Sequence, residues 1–140
     1  DLHSFPTRRS SDLHIVGKST ATLILITDTE HAVPVQVNRN GIRSIAMGTG
    51  ETAKLSLPYL TVESDVQRGD LLVSSGLDEI FPAGYPVATV TKVERNSTDT
   101  FALVEAKPLA QLDRDREVLL LWTDKPKVPT PEEAIEADKQ

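Results

Sequence analysis

The chain has 140 residues, a formal net charge of -6, no cysteine and only 4% aromatic residues. Without cysteine it can build no disulfide framework, thiol nucleophile or Cys-ligated metal site, and an acidic chain lacking any Lys/Arg run does not supply the clustered positive charge that phosphate contacts need. No apolar run reaches the roughly 18 residues of a membrane span.

The first thirteen residues, DLHSFPTRRSSDL, show no hydrophobic period and stand directly against a strand-like HIVGKSTATLILITD. Back-translated, they match a common short-read sequencing adapter codon by codon, ending in CTN, which encodes leucine for any base. Residues 1–13 are therefore set aside as translated adapter. Arg8 and Arg9 are then no nucleic-acid patch, and the native protein is expected to be cut just before His14. Their removal leaves the charge unchanged, because Arg8 and Arg9 offset Asp1 and Asp12. The remaining stretch of about 127 residues can bury roughly two thirds of its unfolded surface.

Short apolar or alternating runs then recur between turn signals, the pattern of an all-β sandwich or barrel. Thr22 to Thr27 and Val33 to Val37 read as successive strands; in VPVQV the valines share one face, and Pro34 points to an edge position or strand start. Asn40-Gly41 predicts a two-residue type I′ turn, so Ile42 to Met47 should return antiparallel. Gly48 to Gly50 break that strand, and Lys54 to Leu57 form another that Pro58 ends.

DVQRGD, residues 65–70, is a turn into the strand Leu71 to Ser74. The next dozen residues, SGLDEIFPAGYP, form a long shaped loop. Val87 to Glu94 and Phe101 to Ala106 read as a second hairpin. Val118 to Trp122 (VLLLW) reads as a buried closing strand, after a DRDRE turn or connector. Residues 123–140, rich in Pro, Glu and Lys, read as a disordered tail. The expected architecture is two small barrel-like modules, about 14–61 with 107–122 and 62–106.

Catalytic chemistry finds little support. His14 sits at the cut edge, and His31, in the DTEH turn with Asp28 and Glu30, reads as an exposed turn residue. Ser74-Ser75-Gly76 lacks a nucleophile elbow. Asp28, Glu30 and His31 are too crowded for a metal site. GTGETA leads into a strand instead of a phosphate-binding helix, and Arg68-Gly69-Asp70 reads as a turn rather than an adhesion motif. No catalytic, metal or cofactor residue is assigned. What survives is surface: Ile80, Phe81, Pro82 and Tyr85 in the long loop, and Leu57, Pro58, Tyr59 and Leu60 in a smaller one. These are apolar where polar residues are expected, and are candidates for partner contacts or for lids on their own core.

The segments LILITDTEHAVPVQV, RNGIRSIAMGTG, LSLPYL, DVQRGDLLVSSGLDEIFPAGYPVATV and LDRDREVLLLW, in this order, resemble the extracytoplasmic β domain of the bacterial rod shape-determining protein MreC family, from about Gly17 to Trp122. The resemblance implies two small β-barrel subdomains and a non-enzymatic scaffold at the periplasmic face of the inner membrane. It implies self-association into dimers or filaments, and contacts with MreD, a penicillin-binding transpeptidase and a RodA-containing complex. Membrane contact would come only through an N-terminal helix that this chain lacks. A degenerate trypsin-like hydrolase and a small ligand-binding β module remain the alternatives.

Overall fold

The computed structural model describes residues 11–77 and 82–119, which form β structure and turns without a helix. The strands are β1 (Ser11–Val16), β2 (Ala21–Leu25), β3 (Ala32–Val37), β4 (Arg43–Gly48), β5 (Leu55–Ser56), β6 (Leu71–Ser74), β7 (Pro86–Glu94) and β8 (Leu103–Pro108). β1 and β2 make a two-stranded antiparallel ribbon, and the other six close into a barrel in the order β3-β4-β5-β8-β7-β6. β1 takes in Ser11 to Leu13, the last residues of the stretch read as adapter, opposite Leu25 to Leu23.

Alternation builds the barrel. Val33, Val35 and Val37 of β3 point inward with Ala46, Leu55, Leu72, Val90, Val104 and Ala106, and all are fully buried. Fully burying a valine or leucine side chain is worth roughly 1.5–3 kcal/mol. Bulges at Leu72/Val73 and Val90/Lys92 bend the sheet enough to close it.

The all-β reading holds, but the strands are distributed differently from the expected two modules. β3 pairs with β6 as well as β4, and β5 pairs with β8, so 32–56 and 71–108 share one barrel. The reason is edge chemistry. β3, β4 and a two-residue β5 would leave two rows of unpaired N–H and C=O groups, and β6 and β8 cover one each. VLLLW does not close the barrel in its described part: Val118 is half exposed and Leu119 75% exposed, and neither lies in a strand. Residues 120–122 and the 123–140 tail lie outside the described residues.

The NRNG turn also differs. Val37 N–H donates to the Ile42 carbonyl (2.8 Å) and Gly41 N–H to the Val37 carbonyl (2.8 Å), so the loop holds four residues, 38–41, with Gly41 at φ 74°. Two residues would have left Arg39 in the ladder; four release it to reach across the barrel end. Pro34 sits third in β3. Its carbonyl accepts from Ser75 N–H (3.1 Å) just beyond the end of the β6 ladder, so its missing N–H falls where that ladder stops; β3 is paired on both sides, and Pro34 marks neither an edge strand nor a strand start.

Candidate protein-docking surface

LSLPYL splits into two faces. Leu57 N–H donates to the Val104 carbonyl (3.0 Å) and Ala102 N–H to the Leu60 carbonyl (2.8 Å), holding the segment beside the start of β8. A turn at Pro58-Tyr59 lies between these anchors. Leu57 and Leu60 are consequently buried in the core, and Tyr59 is 58% exposed. The expectation that all four residues offer surface is corrected: the two leucines face the barrel interior, because the flanking backbone bonds fix them inward. Only Tyr59 and half-buried Pro58 face out.

Sequence reasoning missed the rest of this patch. Phe101 (49% exposed) and Leu103 (46%) lie two residues apart and outward, while Ala102, Val104 and Ala106 fill the core. The Phe101 ring meets Tyr59 edge-on, with centroids 6.4 Å apart and planes at 85°, and Phe101 bridges to Thr61. The available signal was small-large alternation in FALVEA. The larger apolar residues of such a strand are ordinarily expected inward, whereas here the register turns Ala102, Val104 and Ala106 in.

The second candidate loop has a well-defined neck. The Ser74 hydroxyl, fully buried, donates to the Pro82 carbonyl (2.6 Å) and accepts from Tyr85 N–H (3.0 Å). Ser74 N–H donates to the Tyr85 carbonyl and Gly84 N–H to the Ser74 carbonyl, both at 2.8 Å. Gly76 has φ 76°, and a Cβ there would stand 3.1 Å from that of Ala83. Pro82 and Tyr85 are half-buried at this neck. Ile80 and Phe81 lie outside the described residues.

Charge locks the opposite strand ends. Arg39 grips Asp70 with two parallel bonds (Nε to Oδ1 and Nη2 to Oδ2, each 3.0 Å) and reaches Asp65 Oδ2 with Nη1 (2.9 Å). Asp70 is 9% exposed and also accepts Gln67 N–H (2.9 Å). The Arg39 hydrogen bonds hold both Asp65 and Asp70 below the usual carboxylate range, and the two carboxylates push Arg39 up. Arg68-Gly69-Asp70 is thus a turn, with Gly69 at φ 95° and its aspartate committed inside the protein. Arg95 ties down another loop by donating to the carbonyls of Val62 (3.0 Å), Ser64 (2.9 Å) and Val66 (2.6 Å). Sequence spacing could not pair Arg39 with residues 26 and 31 positions away.

At the DTEH turn, the Asp28 carboxylate accepts Glu30 N–H (2.9 Å). Among the described residues no three His, Asp or Glu side chains are placed to hold a metal ion. The geometry assembled here is a rigid barrel displaying apolar side chains, which is suited to binding protein.

Comparison with known proteins agrees with this picture. Residues 13–122 match the family model described as "Rod shape-determining protein MreC, barrel core". The cell shape-determining protein MreC of Haemophilus influenzae is 54% identical over 107 residues, which are 76% of this chain and 30% of that protein. The chain therefore spans about a third of the length of that relative. The crystal structure of MreC from Pseudomonas aeruginosa superposes with a TM-score of 0.70 at 55% identity, covering 73% of this chain and 66% of that one. A complex between the penicillin-binding protein PBP2 and MreC from Helicobacter pylori aligns at TM-score 0.53 and 23% identity, over 71% of this chain and 64% of that one. This last likeness concerns the fold.

Proposed function

The chain belongs to the rod shape-determining protein MreC family, and from that premise we propose that it is part of a non-enzymatic scaffold for cell-wall elongation. It works outside the cytoplasm by binding a penicillin-binding transpeptidase and further copies of itself. MreD and the RodA-containing complex are its other partners in this reading. A scaffold acts by raising the local concentration of partners and by favouring one of their conformations, so it needs shaped surface and no reacting group.

The observation that carries the proposal is the outward Pro58-Tyr59-Phe101-Leu103 patch on a closed barrel. Aromatic anchors on a rigid support are what protein interfaces favour. The Ile80-Phe81-Pro82-Tyr85 loop, closed at its neck by Ser74, supplies a second contact. The Helicobacter pylori complex, in which a protein of this fold is bound to PBP2, supports the transpeptidase as partner.

The test is pull-down of the purified transpeptidase by full-length protein carrying Tyr59→Asp with Phe101→Asp, beside a second variant with Ile80→Asp and Phe81→Asp. Each pair is expected to reduce capture at least tenfold while the thermal midpoint moves little. Undiminished capture by both folded variants would remove these surfaces from the account.

A further inference from the structure

β7 outlasts the strand beside it. Its ladder with β6 ends at Thr89, opposite Leu71, whereas its ladder with β8 runs on to Glu94, opposite Leu103. Gly69 N–H donates to the Val90 carbonyl (2.8 Å) and Val90 N–H to the Asp70 carbonyl (2.9 Å), and these bonds end the pairing on the β6 side. The bulge between Val90 and Lys92 follows at once. Beyond it, no strand among the described residues lies against the β6-side edge of Lys92 to Glu94.

The neighbouring chain at 66–68 does not pair with this edge. Arg95 holds it through the Ser64 and Val66 carbonyls, and an open groove is left between Val66-Gln67-Arg68 and Thr91 to Arg95. Val66 and Val93 give the groove an apolar base packed on the core. Arg68, Lys92 and Arg95 stand along it against one acid, Glu94, which pairs with Lys92 at 3.2 Å; with Arg95 committed to backbone carbonyls, the groove keeps an excess of positive charge on a chain whose net charge is -6.

A lysine on a strand edge commonly guards against unwanted pairing. The sign of that guard also selects. Cationic strands are repelled by Arg68 and Lys92, whereas an acidic strand meets complementary charge and an unpaired backbone. We propose that the β7 edge from Lys92 to Glu94, with the groove it shares with residues 66–68, docks an extended acidic segment of a partner protein as an added strand. This inference is independent of the Tyr59 patch and of the transpeptidase assignment.

The experiment uses the whole 140-residue chain and a fluorescein-labelled octapeptide of alternating valine and glutamate, followed by anisotropy at low salt. Saturable binding is expected, together with slowed amide hydrogen exchange at Lys92 to Glu94. A peptide of the same sequence, N-methylated on alternate backbone nitrogens, should bind at least tenfold more weakly to the unmodified protein, because it cannot complete the ladder. Arg68→Glu with Lys92→Glu should lose the acidic peptide at least tenfold and gain a valine-lysine counterpart, a swap that an unfolded variant could not produce. Absence of saturation at millimolar peptide, or equal binding of the N-methylated peptide, overturns the proposal. Slowed exchange at Lys92 to Glu94 on concentrating the chain alone would make a second copy the occupant and overturn it as well.

Discussion

The ribbon and the barrel are built from similar residues, yet they bury them very differently. β2, ATLIL, is the more apolar strand, but none of its side chains is fully buried. β3, AVPVQV, with a proline and a glutamine, buries all three valines. The difference is closure. Each barrel strand has two bonded neighbours and an enclosed inner face, whereas each ribbon strand has one neighbour. A two-stranded ribbon is marginal alone in water, and this one is tied to the barrel at its end, where Ile26 and Thr27 are buried and Gly50 N–H donates to the Thr27 carbonyl (2.8 Å). Local hydrophobicity says how much there is to bury; the number of neighbours decides how much is buried.

The largest effect that would sharpen this contrast comes from emptying the barrel. Leu72→Ala, at a fully buried position, should cost about 2–5 kcal/mol, read from the urea midpoint of global unfolding. Leu25→Ala in the ribbon, at a site 37% exposed, should cost less than about 1 kcal/mol on the same curve. Equal costs would mean that ribbon and barrel form one evenly packed unit.

Next comes the junction. A Cβ on Gly48 would sit 1.8 Å from the Asp28 carbonyl oxygen, so backbone must move to admit it. Gly48→Ala should destabilise by about 1–3 kcal/mol, with faster amide exchange in β2 and the 26–31 turn than in β6 to β8. Uniform acceleration across the barrel would show that the turn is integral to the core.

The charged lock gives a pH signature. Asp65 and Asp70 are held below the ordinary carboxylate range chiefly by Arg39. The unfolded chain therefore takes up their protons first as pH falls. The stability they contribute is present above about pH 4, the unfolded carboxylate value, and is lost as pH drops through the lower native values. Asp70→Asn should flatten this acid limb and, by weakening the grip on Arg39, cost about 1–3 kcal/mol at neutral pH. An unchanged pH profile would leave the lock without thermodynamic weight.

The smallest effect should be a gain. The Ser44 hydroxyl on β4 is buried without a hydrogen-bond partner among the described residues, so Ser44→Ala should be neutral or stabilise by about a few tenths of a kcal/mol, read from the urea midpoint. A clear loss would mean that the hydroxyl is satisfied in solution.

Much of the candidate site was legible in part only. The apolar excess in LSLPYL was visible, but its division into buried Leu57 and Leu60 and exposed Tyr59 was not, because the bonds to Val104 and Ala102 that orient the segment come from more than forty positions away. Phe101 and Leu103 were hidden for the opposite reason. Their own strand reads as core on either face, and only its pairing with β5 and β7 turns Ala102, Val104 and Ala106 inward.

By itself, the amino-acid pattern determined the class of the fold, the positions of most strands and the turn glycines, since side chains alternate with a period of two and a positive φ at Gly41 or Gly69 favours glycine. It left register and partnership open. A two-residue turn would have set Val35 opposite Ala46, while the observed loop sets Val33 there. Both keep the valines inside, so alternation cannot tell a slip of two residues from none. The tertiary structure decided it, where Arg39 leaves the ladder to meet Asp65 and Asp70 and where β6 and β8 cover edges that a smaller barrel would have left bare.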